Sequence, residues 1–214
     1  MLALLHTSPL HVPVFDALAA ADHPGLGLRH LVHEELLVRA RAAGPGAVAD
    51  RVGAVLAGAV AAGASAVLCT CSTLGAVAES TAPALGVPVL RIDRPMAGAA
   101  ASAGRVAVVA TVESTLGPTA ALIREEAAGR DVTVRTVLVE GAWALFEAGD
   151  RDGYLDAVAA AADDVTGADV IVLAQVSAAD AAERVTSALP VLVAPRSGLA
   201  AAVAATVAAG ERTG

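Results

Sequence analysis

The chain is 214 residues long, 56% hydrophobic, 17% charged and 2% aromatic, which excludes a disordered tail or a disulfide-stapled miniprotein and leaves one large domain or two small ones. All fourteen basic side chains are arginine, so the chain can form neither a lysine Schiff base with pyridoxal phosphate or a keto substrate nor a Walker A phosphate loop. A formal charge of −8 and a pI near 5.0 argue against nucleic acid as a partner, because its capture needs clustered positive charge.

The opening Met1-Leu-Ala-Leu-Leu5 has no positive n-region and no small-residue cleavage site, and reads as a first buried strand rather than a secretory signal. Further strands are expected at Leu28–Val32, Ala66–Thr70, Val87–Arg91, Arg105–Ala110, Val132–Val139, Asp169–Ala174 and Pro190–Val193, the first being Leu2–Leu5. Helices are expected at Val48–Ala62, Ser114–Ala128, Tyr154–Val165 and Leu199–Ala209. Residues Val52 to Ala78 carry no charge and are long enough to span a bilayer. The break at Gly63 and the run Cys69-Thr-Cys-Ser-Thr73 favour a helix followed by a strand, so no membrane partner is expected. The alternation is that of an α/β protein with mostly parallel buried sheets flanked by helices.

The eight strands fall into two sets of four that superpose. Gly63-Ala-Ser-Ala-Val-Leu-Cys-Thr-Cys-Ser-Thr73 matches Gly167-Ala-Asp-Val-Ile-Val-Leu-Ala-Gln-Val-Ser177 at an offset of 104 positions. The same offset pairs Thr7 with Thr111, Leu28 with Val132, Glu79 with Glu183 and Leu85 with Leu189, and a two-residue deletion then pairs Pro88-Val-Leu90 with Pro190-Val-Leu192. One register kept across separate strands implies an internal duplication. We expect two similar α/β lobes, residues 1–94 joined by a C-terminal helix within 196–214, and residues 95–195.

In parallel sheets ligands sit beyond the carboxyl ends of the strands. Those ends carry Thr7 and Ser8, Cys71, Ser72 and Thr73, Thr111 and Ser114, and Gln175 and Ser177. These are small hydroxyl, thiol and amide groups beside helix starts, suited to a carboxylate substrate held where two lobes face each other. Cys69 and Cys71 are too close to brace a domain and read as reduced thiols of a cytosolic protein. Cys69, inside the strand, is a core residue. Cys71 ends the strand ahead of Ser72 and Thr73, both candidate N-caps, and a thiol there can act as proton acceptor or nucleophile. His11, His23, His30 and His33 show no metal-ligand spacing, so no metal site is expected. His6 is a weaker acid/base candidate. Arg94 and Arg196 follow the fourth and eighth strands and suit either an acidic substrate or surface ion pairs.

Ala66-Val-Leu-Cys-Thr-Cys-Ser-Thr73 resembles the strand and cysteine turn of the aspartate/glutamate/hydantoin racemase superfamily, which includes arylmalonate decarboxylase and maleate isomerase. Asp169–Ser177, Val108-Val-Ala-Thr111 and the duplication extend the resemblance over nearly the whole chain. It implies a cofactor-independent enzyme acting on a small carboxylate or amino acid, and a homodimer or higher homo-oligomer. It also implies that Cys71 is the first of two facing catalytic cysteines, the second of which should stand at position 175. Glutamine occupies that position. Because glutamine is no proton shuttle, one-cysteine chemistry such as decarboxylation or isomerisation is expected over two-base racemisation. Gln175 would bind a carboxylate or carbonyl while Thr7, Ser8, Ser72, Thr73, Thr111, Ser114 and Ser177 hold an oxyanion. The alternative is a carboxylate-binding protein of the same fold without catalysis.

Overall fold

The computed structural model describes residues 1–211. The chain forms two compact units, one built from residues 1–92 with the C-terminal helix and the other from 93–194. In the first, β1 (Leu2–His6), α1 (Val12–Asp22), β2 (Leu28–Val32), α2 (Glu34–Ala43), α3 (Ala49–Ala61), β3 (Ala66–Cys69), α4 (Ser72–Glu79), α5 (Ala82–Leu85) and β4 (Val89–Arg91) follow one another. The second runs α6 (Arg94–Ala100), β5 (Arg105–Ala110), α7 (Glu113–Ala127), β6 (Thr133–Leu138), α8 (Ala142–Glu147), α9 (Arg151–Asp163), β7 (Val170–Leu173) and β8 (Val191–Val193), and α10 (Pro195–Glu211) returns to the first.

Each lobe holds a four-stranded parallel sheet, ordered β2-β1-β3-β4 and β6-β5-β7-β8. All eight expected strands form, most of them one or two residues shorter than the apolar runs suggested. The central strands β1, β3 and β7 are buried throughout and β5 all but its first residue, which is why they read as continuous apolar runs. The edge strands β2 and β6 mix exposed and half-buried positions. Helices α1 and α2 escaped the sequence reading, and neither has a side-chain cap. Pro13 sits in the first turn of α1, where its missing N–H costs nothing.

Strand pairing tests the duplication residue by residue. Leu2 pairs with Ala66 and Val106 with Val170, so the offset of 104 holds for both central strands. Val67 pairs with Val89 and Ile171 with Val191, as the two-residue deletion requires. The second strand needs a correction: Leu2 pairs with Leu28 but Val106 with Val134. Leu28 is therefore equivalent to Val134 and not to Val132. A two-residue shift leaves each side chain on the same face, which hides it from an apolar pattern.

In the first lobe Ala3, Leu5, Val67 and Cys69 face α2, α3 and α4 in one core. On the opposite face α10 packs on β1 and β3 and against α1. Its approach is close at Gly198, where an added Cβ would lie 2.3 Å from the Ile92 carbonyl oxygen. Tyr154, Leu155 and Val158 of α9 pack with Val109, Ile171 and Leu173 in the core of the second lobe. Among the described residues no helix is long and apolar enough to cross a membrane, and the uncharged run Val52 to Ala78 divides between α3, β3 and α4.

Candidate active site

In the first lobe β1 and β3 are neighbours, with Leu5 opposite Cys69, so the residues that follow them share one strand end. Thr7, Cys71 and Thr73 are buried there, and Ser72 is half-buried. Cys71 itself occupies the N-cap position of α4 in extended backbone, with its carbonyl accepting from the Leu74 amide at 3.1 Å. This corrects the capping assignment: Ser72 and Thr73 form the first turn of α4 instead of preceding it. Cys69 is fully buried, and its thiol donates to the Cys71 carbonyl at 3.6 Å. The Ser8 hydroxyl accepts from the Leu10 amide at 3.3 Å and caps the short 3-10 turn Pro9–His11. Ser8 thus performs a structural task.

His6 ends β1 and is fully buried. Its Nδ1 lies 2.9 Å from the Thr70 hydroxyl and its Nε2 2.8 Å from Nδ1 of His30, whose Nε2 reaches an Asp16 carboxylate oxygen at 3.1 Å. The rings of His6 and His30 stack at 5.1 Å, and Phe15 of α1 lies against His6. Burial, assisted by the neighbouring His30 and His11, lowers the His6 pKa to about 3, and burial alone lowers His11 to about 4. Both rings are neutral at physiological pH. No sequence signal joined His30 and Asp16 to His6, because their meeting depends on β2 lying beside β1 and on α1 crossing that face.

The second lobe repeats the strand-end arrangement with different chemistry. Thr111 follows β5 and Gln175 follows β7. The Gln175 carboxamide oxygen accepts from the Thr111 amide at 2.6 Å and from the Thr111 hydroxyl at 3.0 Å. The Thr111 hydroxyl also lies 3.5 Å from the phenol oxygen of Tyr154, which is 2.8 Å from the Ser177 hydroxyl. Tyr154 is fully buried on α9, and burial raises its pKa, so the phenol keeps its proton. Sequence reading overlooked this residue, although it is the only tyrosine in the chain. Ser114 lies in the first turn of α7, with Glu113 exposed beside it.

The sequence-derived residues thus gather in two groups: Thr7, Ser8, Cys71, Ser72 and Thr73 in the first lobe, and Thr111, Ser114, Gln175 and Ser177 in the second. Arg94 pairs with Glu125 and Glu126, and Arg196 with Asp22. Trp143 and Phe146 stack at 4.8 Å, and Phe146 packs on Tyr154.

A duplicated α/β unit in which the order 2-1-3-4 recurs, with a thiol at one strand end and an amide at its repeat, defines the class of protein. The sequence model of the Asp/Glu/Hydantoin racemase family matches residues 9–206, and the chain belongs to that family. Solved structures agree on the fold. A glutamate racemase from Francisella tularensis, determined with D-glutamate, superposes with a TM-score of 0.72 at 10% identity, covering 92% of this chain and 77% of that one. Unliganded arylmalonate decarboxylase gives 0.60 at 20% identity, covering 96% and 91%. Allantoin racemase from Pseudomonas fluorescens gives 0.59 at 16%, covering 95% and 90%. No significant match exists among curated proteins.

Proposed function

We propose that this protein is a cofactor-independent enzyme acting at the α-carbon of a small carboxylic or amino acid, with Cys71 as its single acid/base or nucleophile. The observation that carries this reading is the equivalence of Cys71 and Gln175, at corresponding ends of β3 and β7, in a chain of the racemase family. Two-base racemisation needs a second proton carrier on the far side of the α-carbon, and a carboxamide cannot supply one. Decarboxylation or isomerisation needs a proton from one side only.

In that chemistry, loss of carbon dioxide or of the α-proton leaves an enediolate. Cys71 delivers or removes the proton, and donors among Thr7, Ser72, Thr73 and Ser114 hold the oxyanion. Incubation with candidate acids in deuterated water, followed by mass spectrometry, tests the proposal. We expect deuterium at the α-carbon or loss of carbon dioxide, and Cys71→Ala should reduce the rate at least about a hundredfold. Full activity in Cys71→Ala would refute the role of the thiol. Carboxylate binding that is unchanged in Cys71→Ser, with neither exchange nor decarboxylation, would establish the non-catalytic alternative.

A further inference from the structure

We infer that Gln175 is a fixed hydrogen-bond donor, oriented and polarised by Tyr154, Ser177 and Thr111, and that it receives an anionic carboxylate oxygen of the substrate. This deepens the proposed function and names the ligand chemistry of the second strand end.

The direction of the amide follows from hydrogen counting. A main-chain N–H only donates, so the atom receiving the Thr111 amide must be the Gln175 carbonyl oxygen, and the amide cannot be flipped. The Thr111 hydroxyl must donate to the same oxygen, because that oxygen carries no proton. Its remaining lone pairs can accept from the Tyr154 phenol, 3.5 Å away, and the phenol shares a 2.8 Å hydrogen bond with the Ser177 hydroxyl in which either oxygen can donate. The result is a chain of polar contacts linking Ser177, Tyr154 and Thr111 to Gln175, whose last link runs from Thr111 to the Gln175 oxygen. Hydrogen bonds in series polarise one another, and a carboxamide whose oxygen accepts two bonds presents a more positive NH2 group. Among the described residues that NH2 group has no protein partner. It therefore offers two N–H donors and no acceptor, which favours a carboxylate and disfavours an ammonium group.

In the first lobe a thiol takes the place of the amide. Thr7 and Cys71 stand at the equivalent positions, and the chain's one tyrosine serves the second lobe alone. The duplication has thus diverged into a thiol side and an anion-holding side. Tyr154 is a positioning residue, acting through Thr111 on Gln175.

The test uses an unusual property of the sequence. Gln175 is the only glutamine and there is no asparagine, so the 15N-labelled full chain has a single carboxamide NH2 pair that needs no assignment. We expect this pair away from its free-glutamine position and moving toward it in Tyr154→Phe. Titration with acetate, malonate and succinate should shift it, and malonamide and ethylenediamine should act at least about tenfold more weakly. Tyr154→Phe should weaken carboxylate binding roughly threefold to tenfold, and Ser177→Ala should do the same more mildly. A free-glutamine NH2 pair in the wild type would overturn the inference. So would indifference to all three acids, an equal response to the diamine, or unchanged affinity in Tyr154→Phe. The outcome separates from that of the proposed function: a carboxylate that moves the NH2 pair without any isotope exchange leaves this inference standing while the catalytic reading fails. Exchange without movement of the pair does the reverse.

Discussion

Cys69 and Cys71 share one core cluster, yet they differ in position by one step along the chain's exit from the sheet. Cys69 is fully enclosed and supports a carbonyl, whereas Cys71 sits at the rim of that core at the first residue before α4. Position along the strand separated these readings in the sequence, because Cys71 ends the apolar run ahead of Ser72 and Thr73 while Cys69 falls inside it. His6 was not legible in the same way. Its repeat partner is Ala110, and its neutral, buried state depends on Thr70, His30 and Phe15. This state makes stability depend on pH. The unfolded chain binds protons at histidine near 6.5, while native His6 and His11 resist protonation until about 3 and about 4. Their contribution is complete above pH 6.5 and is lost as pH falls below it, at up to about 1.4 kcal/mol per pH unit for each ring. Urea unfolding of the first lobe between pH 7.5 and 4.5 should show this slope. His6→Leu should remove about one ring's share, whatever its effect on absolute stability.

At the scale of elements, the central strands were readable because burial on both faces writes itself as an unbroken apolar run. Helices α1 and α2 were not, since short helices held by packing carry little signal of their own. Helix α9 was readable but the role of its tyrosine was not, because the hydroxyl finds its partners only once α9 lies across β5 and β7. Helix α10 offers a test of close packing. Ala at position 198 would place its Cβ against main-chain atoms of Ile92, within 2.3 Å of the carbonyl oxygen, and backbone cannot yield as a flexible side chain does. Gly198→Ala should destabilise the first lobe by about 1–3 kcal/mol, seen as a lower denaturation midpoint.

The molecule as a whole is a duplication with one exchange of chain: α10 follows the second lobe but packs on β1 and β3 of the first. Stopping the chain after Ala194 should therefore uncover the sheet face that bears Leu2, Leu4 and His6. Hydrogen exchange read by mass spectrometry should show β1 and β3 losing protection in the truncated chain while β5 and β7 keep theirs. Equal loss in both lobes would show that the two units do not fold separately. The sequence by itself determined the strand count, the duplication and the equivalence of Cys71 at one strand end to Gln175 at its repeat, because those features are written in burial runs and in a constant register. Tertiary structure alone decided the direction of the Gln175 amide, the role of Tyr154 and the linkage of His6 to His30 and Asp16. Each of these rests on hydrogen bonds between residues far apart in the chain, and no local pattern records which strand or helix will bring the partner.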